Sequence, residues 1–165
     1  MKRIFLLSLL LAGLVFSLSG CSLFNQGPDI QNWQPGVNPS SGEVIFADKD
    51  DKDFELYVMD KKSGDKKQIT NNEYDDWGPG WGPNGERVVF VSQRNDNTDI
   101  YVLDLESGDE TRLTTDDGQD VNPKWSGEDK VIFNSDRTGS WEIFEVSADG
   151  GGLKQVTFSS EGSED

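Results

Sequence analysis

From Trp81 the chain reads WGPNGERVVF, and from Trp125 it reads WSGEDKVIF, nearly the same phrase one residue shorter. Laying the sequence over itself extends the match. The apolar triplets VIF, VVF and VIF end at Phe46, Phe90 and Phe133, 44 and 43 residues apart. The same shift carries LYVMD at Leu56 onto IYVLD at Ile100 and IFEV at Ile143. It carries QIT at Gln68 onto RLT at Arg112 and QVT at Gln155, and Pro35 onto Pro79 and Pro123. A period of this length marks one supersecondary unit that cannot bury its apolar face alone and must stack on its neighbours. Three units fit, over about 35–76, 77–120 and 121–158.

Within the middle unit, a brief strand at Pro79–Trp81 leads into a turn, PNGE, with Asn-Gly at its centre. RVVFVSQ and DIYVLD read as the next two strands, separated by RNDNTD, and TRLT as a fourth after ESGDE. No apolar stripe holds helical spacing for three turns after the first 20 residues. The 18 glycines and the many Asp and Asn residues suit turns and strands. The expected fold is all-β, with three four-stranded antiparallel meanders of propeller-blade size. Trp81, Trp125 and the VIF-type triplets are expected to fill the wedge between adjacent blades.

The unit PGWGPNGERVVFVSQRNDNTDIYVLD from Pro79 and its copy PKWSGEDKVIFNSDRTGSWEIFEV from Pro123 resemble the WD-repeat-like blades of the TolB β-propeller family. The first copy, PGVNPSSGEVIFADKDDKDFELYVMD from Pro35, is more degenerate, with Val37 at the place of the tryptophans. The resemblance implies half of a six-bladed TolB-like propeller, serving as a protein-binding platform of the cell envelope. Related blades also precede peptidase domains, so an enzyme or enzyme accessory acting on peptide or glycan is the alternative.

Ahead of the repeats, Lys2 and Arg3 precede the apolar run IFLLSLLLAGLVFSLSG, which reads as a signal peptide over 1–20. It ends in LSGC and resembles a lipobox, which implies cleavage and diacylation at Cys21, the one cysteine of the sequence. A polar tether is expected over 21–34 and the repeat domain over 35–165. The lipidated chain is expected on the periplasmic side of a Gram-negative outer membrane or on a Gram-positive cell surface.

A formal charge of -16, from 31 acidic against 15 basic residues, excludes electrostatic capture of nucleic acid. The absence of histidine removes the Ser-His-Asp arrangement and the commonest general base. A non-enzymatic role with no catalytic residue is therefore expected. SDRTGSW from Ser135 resembles the Asp-box of sialidase-type propellers, but the blade pattern accounts for it better. No cofactor is expected. DKDDKD from Asp48 and NDNTD from Asn95 place oxygen atoms at alternate loop positions, which makes calcium at Asp48, Asp50 and Asp96 the alternative.

In a four-stranded meander, the turns between the second and third strands share a side with the links between blades. Acidic residues concentrate there, and Asp75, Asp76, Asp116, Asp117 and Asp120 are the candidate contacts for a basic or cation-bridged partner. Neither terminal unit reads as a cap, so two copies closing one six-bladed ring as a homodimer are expected.

Overall fold

The computed structural model describes residues 35–49 and 51–159. The leader at 1–20, Cys21, the tether at 21–34 and Asp50 lie outside the described residues. Within them, twelve strands form three antiparallel four-stranded sheets in sequential order. The first blade holds β1 (Gly36–Val37), β2 (Val44–Lys49), β3 (Phe54–Met59) and β4 (Lys66–Gln68). The second holds β5 (Asp75–Trp81), β6 (Arg87–Arg94), β7 (Asn97–Asp104) and β8 (Glu110–Arg112). The third holds β9 (Asp120–Trp125), β10 (Lys130–Ser135), β11 (Glu142–Ser147) and β12 (Lys154–Gln155). The all-β fold of three propeller blades follows the repeat.

Two turns differ from the sequence reading. In PNGE only Gly85 takes a positive φ, in a four-residue loop closed by Gly82 N–H on the Arg87 carbonyl at 2.7 Å. The tight two-residue turn of this blade is instead Asn95-Asp96, at φ 56° and 64°, between the paired residues Arg94 and Asn97. Both central residues must be left-handed in such a hairpin, and Asn and Asp tolerate this.

Burial distinguishes the middle blade from the third. In β6 the run from Val88 to Ser92 is buried on both faces, as is Thr98–Leu103 in β7. In β10 and β11 every second residue is buried, the pattern of a sheet covered on one side. Ile45, Ala47, Leu56 and Val58 of the first blade and Val131, Phe133, Phe144 and Val146 of the third join the middle blade in one core. Each Val, Ile, Leu or Phe among them, when fully buried, stabilises the fold by about 1.5–3 kcal/mol before entropy is counted.

The tryptophans bridge the blades as expected. Trp125 donates Nε1–H to the Gly80 carbonyl at 3.2 Å, and its ring lies where a Cβ on Gly82 would stand 3.4 Å away. Trp81 lies against Gly36, where a Cβ would come within 3.3 Å of its Cδ1. Glycine on the inner strand thus gives the next blade's indole its seat.

The outer faces depart from the sequence expectation. On the third blade, Ile132 and Ile143 are half-buried and Val156 is exposed, although their counterparts Val89, Ile100 and Leu113 are buried. Between them Lys124 stands at the place of Gly80, and Glu145, bound by Lys154 at 3.0 Å, at the place of Val102. On the first blade Lys66 lies over the Phe46–Tyr57 stack, 3.7 Å from the Tyr57 ring centre, and is paired with Asp48. Both ends therefore carry the charged covering that terminal units of a repeat use, which the sequence reading missed because each charge had to be assigned to a face.

Candidate functional site

The turns between second and third strands do lie beside the inter-blade links. Asp75 Oδ1 accepts from Phe54 N–H at 2.9 Å, and Asp136 Oδ1 from Gln119 N–H at 2.7 Å, tying each turn to the adjacent link. Of the five candidate acids, Asp117 is exposed. Asp75 is half-buried, and so is Asp116, which accepts from Gly118 N–H at 3.0 Å and meets Arg137 at 2.7 Å. Asp76 and Asp120 are each 0% exposed, which corrects their assignment as surface contacts. They start the first strands of the second and third blades and point into the sheet stack. Glu73, Asp96 and Asp51, in the same class of turns and links, are exposed like Asp117 and form the accessible part of the acidic side.

The buried acids recur with the blade period. Glu55, Asp99 and Glu142 open the third strands and are buried, as are Thr70 and Thr114 after the fourth strands. Thr70, Thr114 and Thr157 each accept a backbone N–H from the residue after that acid, Leu56, Ile100 and Ile143, at 2.8, 3.0 and 2.8 Å. The threonine hydroxyl can then donate to the acid. Thr114 does so to Asp99 at 3.2 Å, and Thr157 bonds Glu142 in the same way. This layer ties each outer strand to the link that follows it. Its sequence signal was present, because an acid precedes every LYV-type triplet and a threonine ends every QIT-type one.

The two junctions between blades differ in charge. At the second, Arg137 donates Nη2–H to both Asp120 oxygens at 2.9 and 3.0 Å, and Arg112 meets Asp99 at 2.7 Å. Burial still pushes the Asp99 and Asp120 carboxyls upward against these partners. At the first, Gln68 stands where Arg112 stands and Asn72 where Asp116 stands. Asn72 bridges the two buried acids, giving N–H to Glu55 at 2.6 Å and Nδ2–H to Asp76 at 2.9 Å. Asp76 Oδ1 meets no hydrogen-bond partner. Burial, with Glu55 and Glu110 adding to it, pushes Asp76 up to about 7, against the lowering effect of Ser92 and Asn72.

The described residues of the two candidate calcium loops have other engagements. Asp48 is paired with Lys66, and Asp96 is a turn residue; Asp50 lies outside the described residues. Among the described residues, no group of three His, Cys, Asp or Glu could hold a metal ion. On the other side of the blades, a depression of about 460 Å³ between blades two and three is lined by Arg87, Asp104, Asp109, Asp129 and Asp149. Arg87 is bound there to Asp129 at 2.9 Å.

Radially stacked antiparallel blades joined through interlocking tryptophans define the chain as β-propeller material. Residues 29–164 match the TolB beta propeller domain family, and the chain belongs to that family. The match begins inside the stretch read as tether. Among solved structures, a TolB from Agrobacterium tumefaciens is similar at 25% identity and a TM-score of 0.66, over 74% of this chain and 47% of that one. TolB from Acinetobacter baumannii is similar at 28% identity and a TM-score of 0.68, over 76% and 32%. Dipeptidyl peptidase 4 of Porphyromonas gingivalis shares the fold at 18% identity and a TM-score of 0.61, over 78% and 18%. The chain thus spans half or less of the length of these relatives. No curated protein matches it.

Proposed function

We propose that this chain is a lipid-anchored, extracytoplasmic protein-binding scaffold of the bacterial cell envelope. Membership of the TolB propeller family carries the reading. The leader ending in LSGC and the acidic side with Asp117, Glu73, Asp96 and Asp51 exposed support it. The acidic side suits a basic partner, and attraction between unlike surfaces raises the encounter rate. Pull-down of the acylated full chain from envelope extract tests this. Reversing Glu73 and Asp117 to Lys is expected to reduce recovery of the partner severalfold while the far-UV spectrum stays that of a β protein. Undiminished recovery would place the contact elsewhere, and hydrolysis of envelope peptide or glycan by the purified chain would favour the enzyme reading.

Anchoring has its own test. Cys21→Ser is expected to abolish partitioning into the detergent phase, because each buried CH₂ of an acyl chain contributes about 0.8 kcal/mol. Unchanged partitioning would remove the lipoprotein assignment.

A homodimer closing a six-bladed ring stays a proposal, and Lys124 and Glu145 are where it is tested. Closure would bury both against another blade. The unsubstituted chain is expected to sediment as a compact dimer, and replacing both together, Lys124→Gly and Glu145→Val, which gives this face the residues of the middle blade, is expected to tighten that dimer. A well-folded monomer of the unsubstituted chain at micromolar concentration would rule closure out.

A further inference from the structure

Arg94 and Arg137 occupy equivalent places two residues beyond the second strand's buried serine, and their side chains start out alike. Arg94 Nε–H is bound to Ser92 Oγ at 2.9 Å and Arg137 Nε–H to Ser135 Oγ at 2.8 Å. Each guanidinium lies over the aromatic ring of its own third strand, 4.1 Å from Tyr101 and 4.6 Å from Phe144. The pivots coincide, but the far ends do not. Arg137 turns inward to Asp120, whereas Arg94 turns outward to Glu110 Oε2 at 2.6 Å, leaving Asp76, the counterpart of Asp120, with an unmet Oδ1. Two substitutions account for this. Glu110 competes for Arg94 where the third blade has Leu153, and Asn72 replaces the Asp116 that helps draw Arg137 inward.

We propose that Asp76 is a proton-controlled latch for Arg94: with a proton on Asp76 the arginine rests on Glu110, and when that proton leaves to solvent the guanidinium moves to Asp76, giving the first junction the arrangement of the second. The surroundings support this direction of change. Facing Asp76 are Glu55 on β3, Asn72 on the link, Ser92 and Arg94 on β6, and Glu110 on β8. Arg112 is committed to Asp99, so Arg94, held by the more exposed Glu110, is the cation that can answer a new charge at Asp76. A carboxylate left buried without a cation is costly, and pairing it recovers part of that cost. The raised titration of Asp76, drawn back down by pairing with Arg94, places the exchange between the ordinary carboxylate range and neutral pH. The move also lifts the guanidinium from Tyr74, 5.2 Å beneath it on the inter-blade link, and frees Glu110. Proton loss inside the junction is thereby reported on the side that carries the exposed acids.

The test uses the full chain with Asp76→Asn, Arg94→Met, Glu110→Gln and Glu55→Gln. Double-mutant cycles on unfolding at pH 5.5 and 8.5 are expected to show Arg94 coupled to Glu110 at the lower pH. At the higher pH the coupling transfers to Asp76, changing the folding constant by about tenfold. Coupling to Glu110 that is undiminished at pH 8.5 overturns the latch. Where a variant does not fold, the Arg94 Nε–Hε resonance of the unsubstituted chain gives the same answer. It should shift with a midpoint between the ordinary carboxylate range and neutrality and be flat in Asp76→Asn. A midpoint that survives in Asp76→Asn and vanishes in Glu55→Gln assigns the proton to Glu55 and overturns the proposal.

Discussion

Arg137→Met is expected to lower the unfolding free energy by about 3–5 kcal/mol at pH 8, because it strands the fully buried Asp120 as an unpaired charge. Methionine retains part of the packing over Phe133 and Phe144, so the loss reports mainly on charge. A loss of that size is a large share of the 5–15 kcal/mol typical of a domain. Near pH 5 the loss should shrink, since Asp120 can then take a proton instead of standing as a bare carboxylate. Denaturant unfolding at the two pH values checks it. An equal loss at both would mean that Arg137 acts through packing alone.

The second large effect is the pH dependence set by Asp76. Its folded value of about 7 lies above the unfolded value of about 3.9, so the native state binds more protons between them. The stability contributed by this group is complete below the unfolded value and is lost as pH rises through the folded one. Three units correspond to a ceiling of about 4 kcal/mol, which pairing of Asp76 with Arg94 would lower. Asp99 and Asp120, also raised, slope the same way. Asp60 and Asp104, held low by backbone N–H groups of their own turns, contribute stability that is lost on further acidification. The chain is therefore expected to be most stable in mildly acidic solution and to weaken toward pH 8. Asp76→Asn should remove the largest part of that weakening. A variant that falls as steeply as the unsubstituted chain would show that Asp76 does not carry it.

The two predictions rest on the same contrast between junctions. Arg112 and Gln68 occupy one column of the repeat, as do Asp116 and Asn72. Each exchange removes or adds a single charge beside carboxylates that are closed to water. A surface change of that kind is worth little. Inside the stack it decides whether a carboxylate has a cation, and therefore whether it holds a proton at neutral pH.

The sequence by itself determined the repeat, the strands and the stacking of three blades. Triplets such as VIF and VVF and the recurring QIT-type ends are local signals with a fixed period, and strand chemistry at each is legible one residue at a time. The seats of Trp81 and Trp125 were legible for the same reason. The acidic side was readable only as composition on a face. The tertiary structure decided which of its members reach solvent, leaving Asp117 exposed and burying Asp76 and Asp120. Alternation along a strand names the two faces of a sheet, but which face meets a neighbouring blade depends on the stacking of sheets. The same holds for the ends, where Lys124, Glu145 and Lys66 became coverings only once their faces were known. Pairing was furthest from the sequence. Arg94 and Arg137 stand in one repeat column, and only the positions of Glu110, Asn72 and Asp116 around them send one guanidinium outward and the other into the junction.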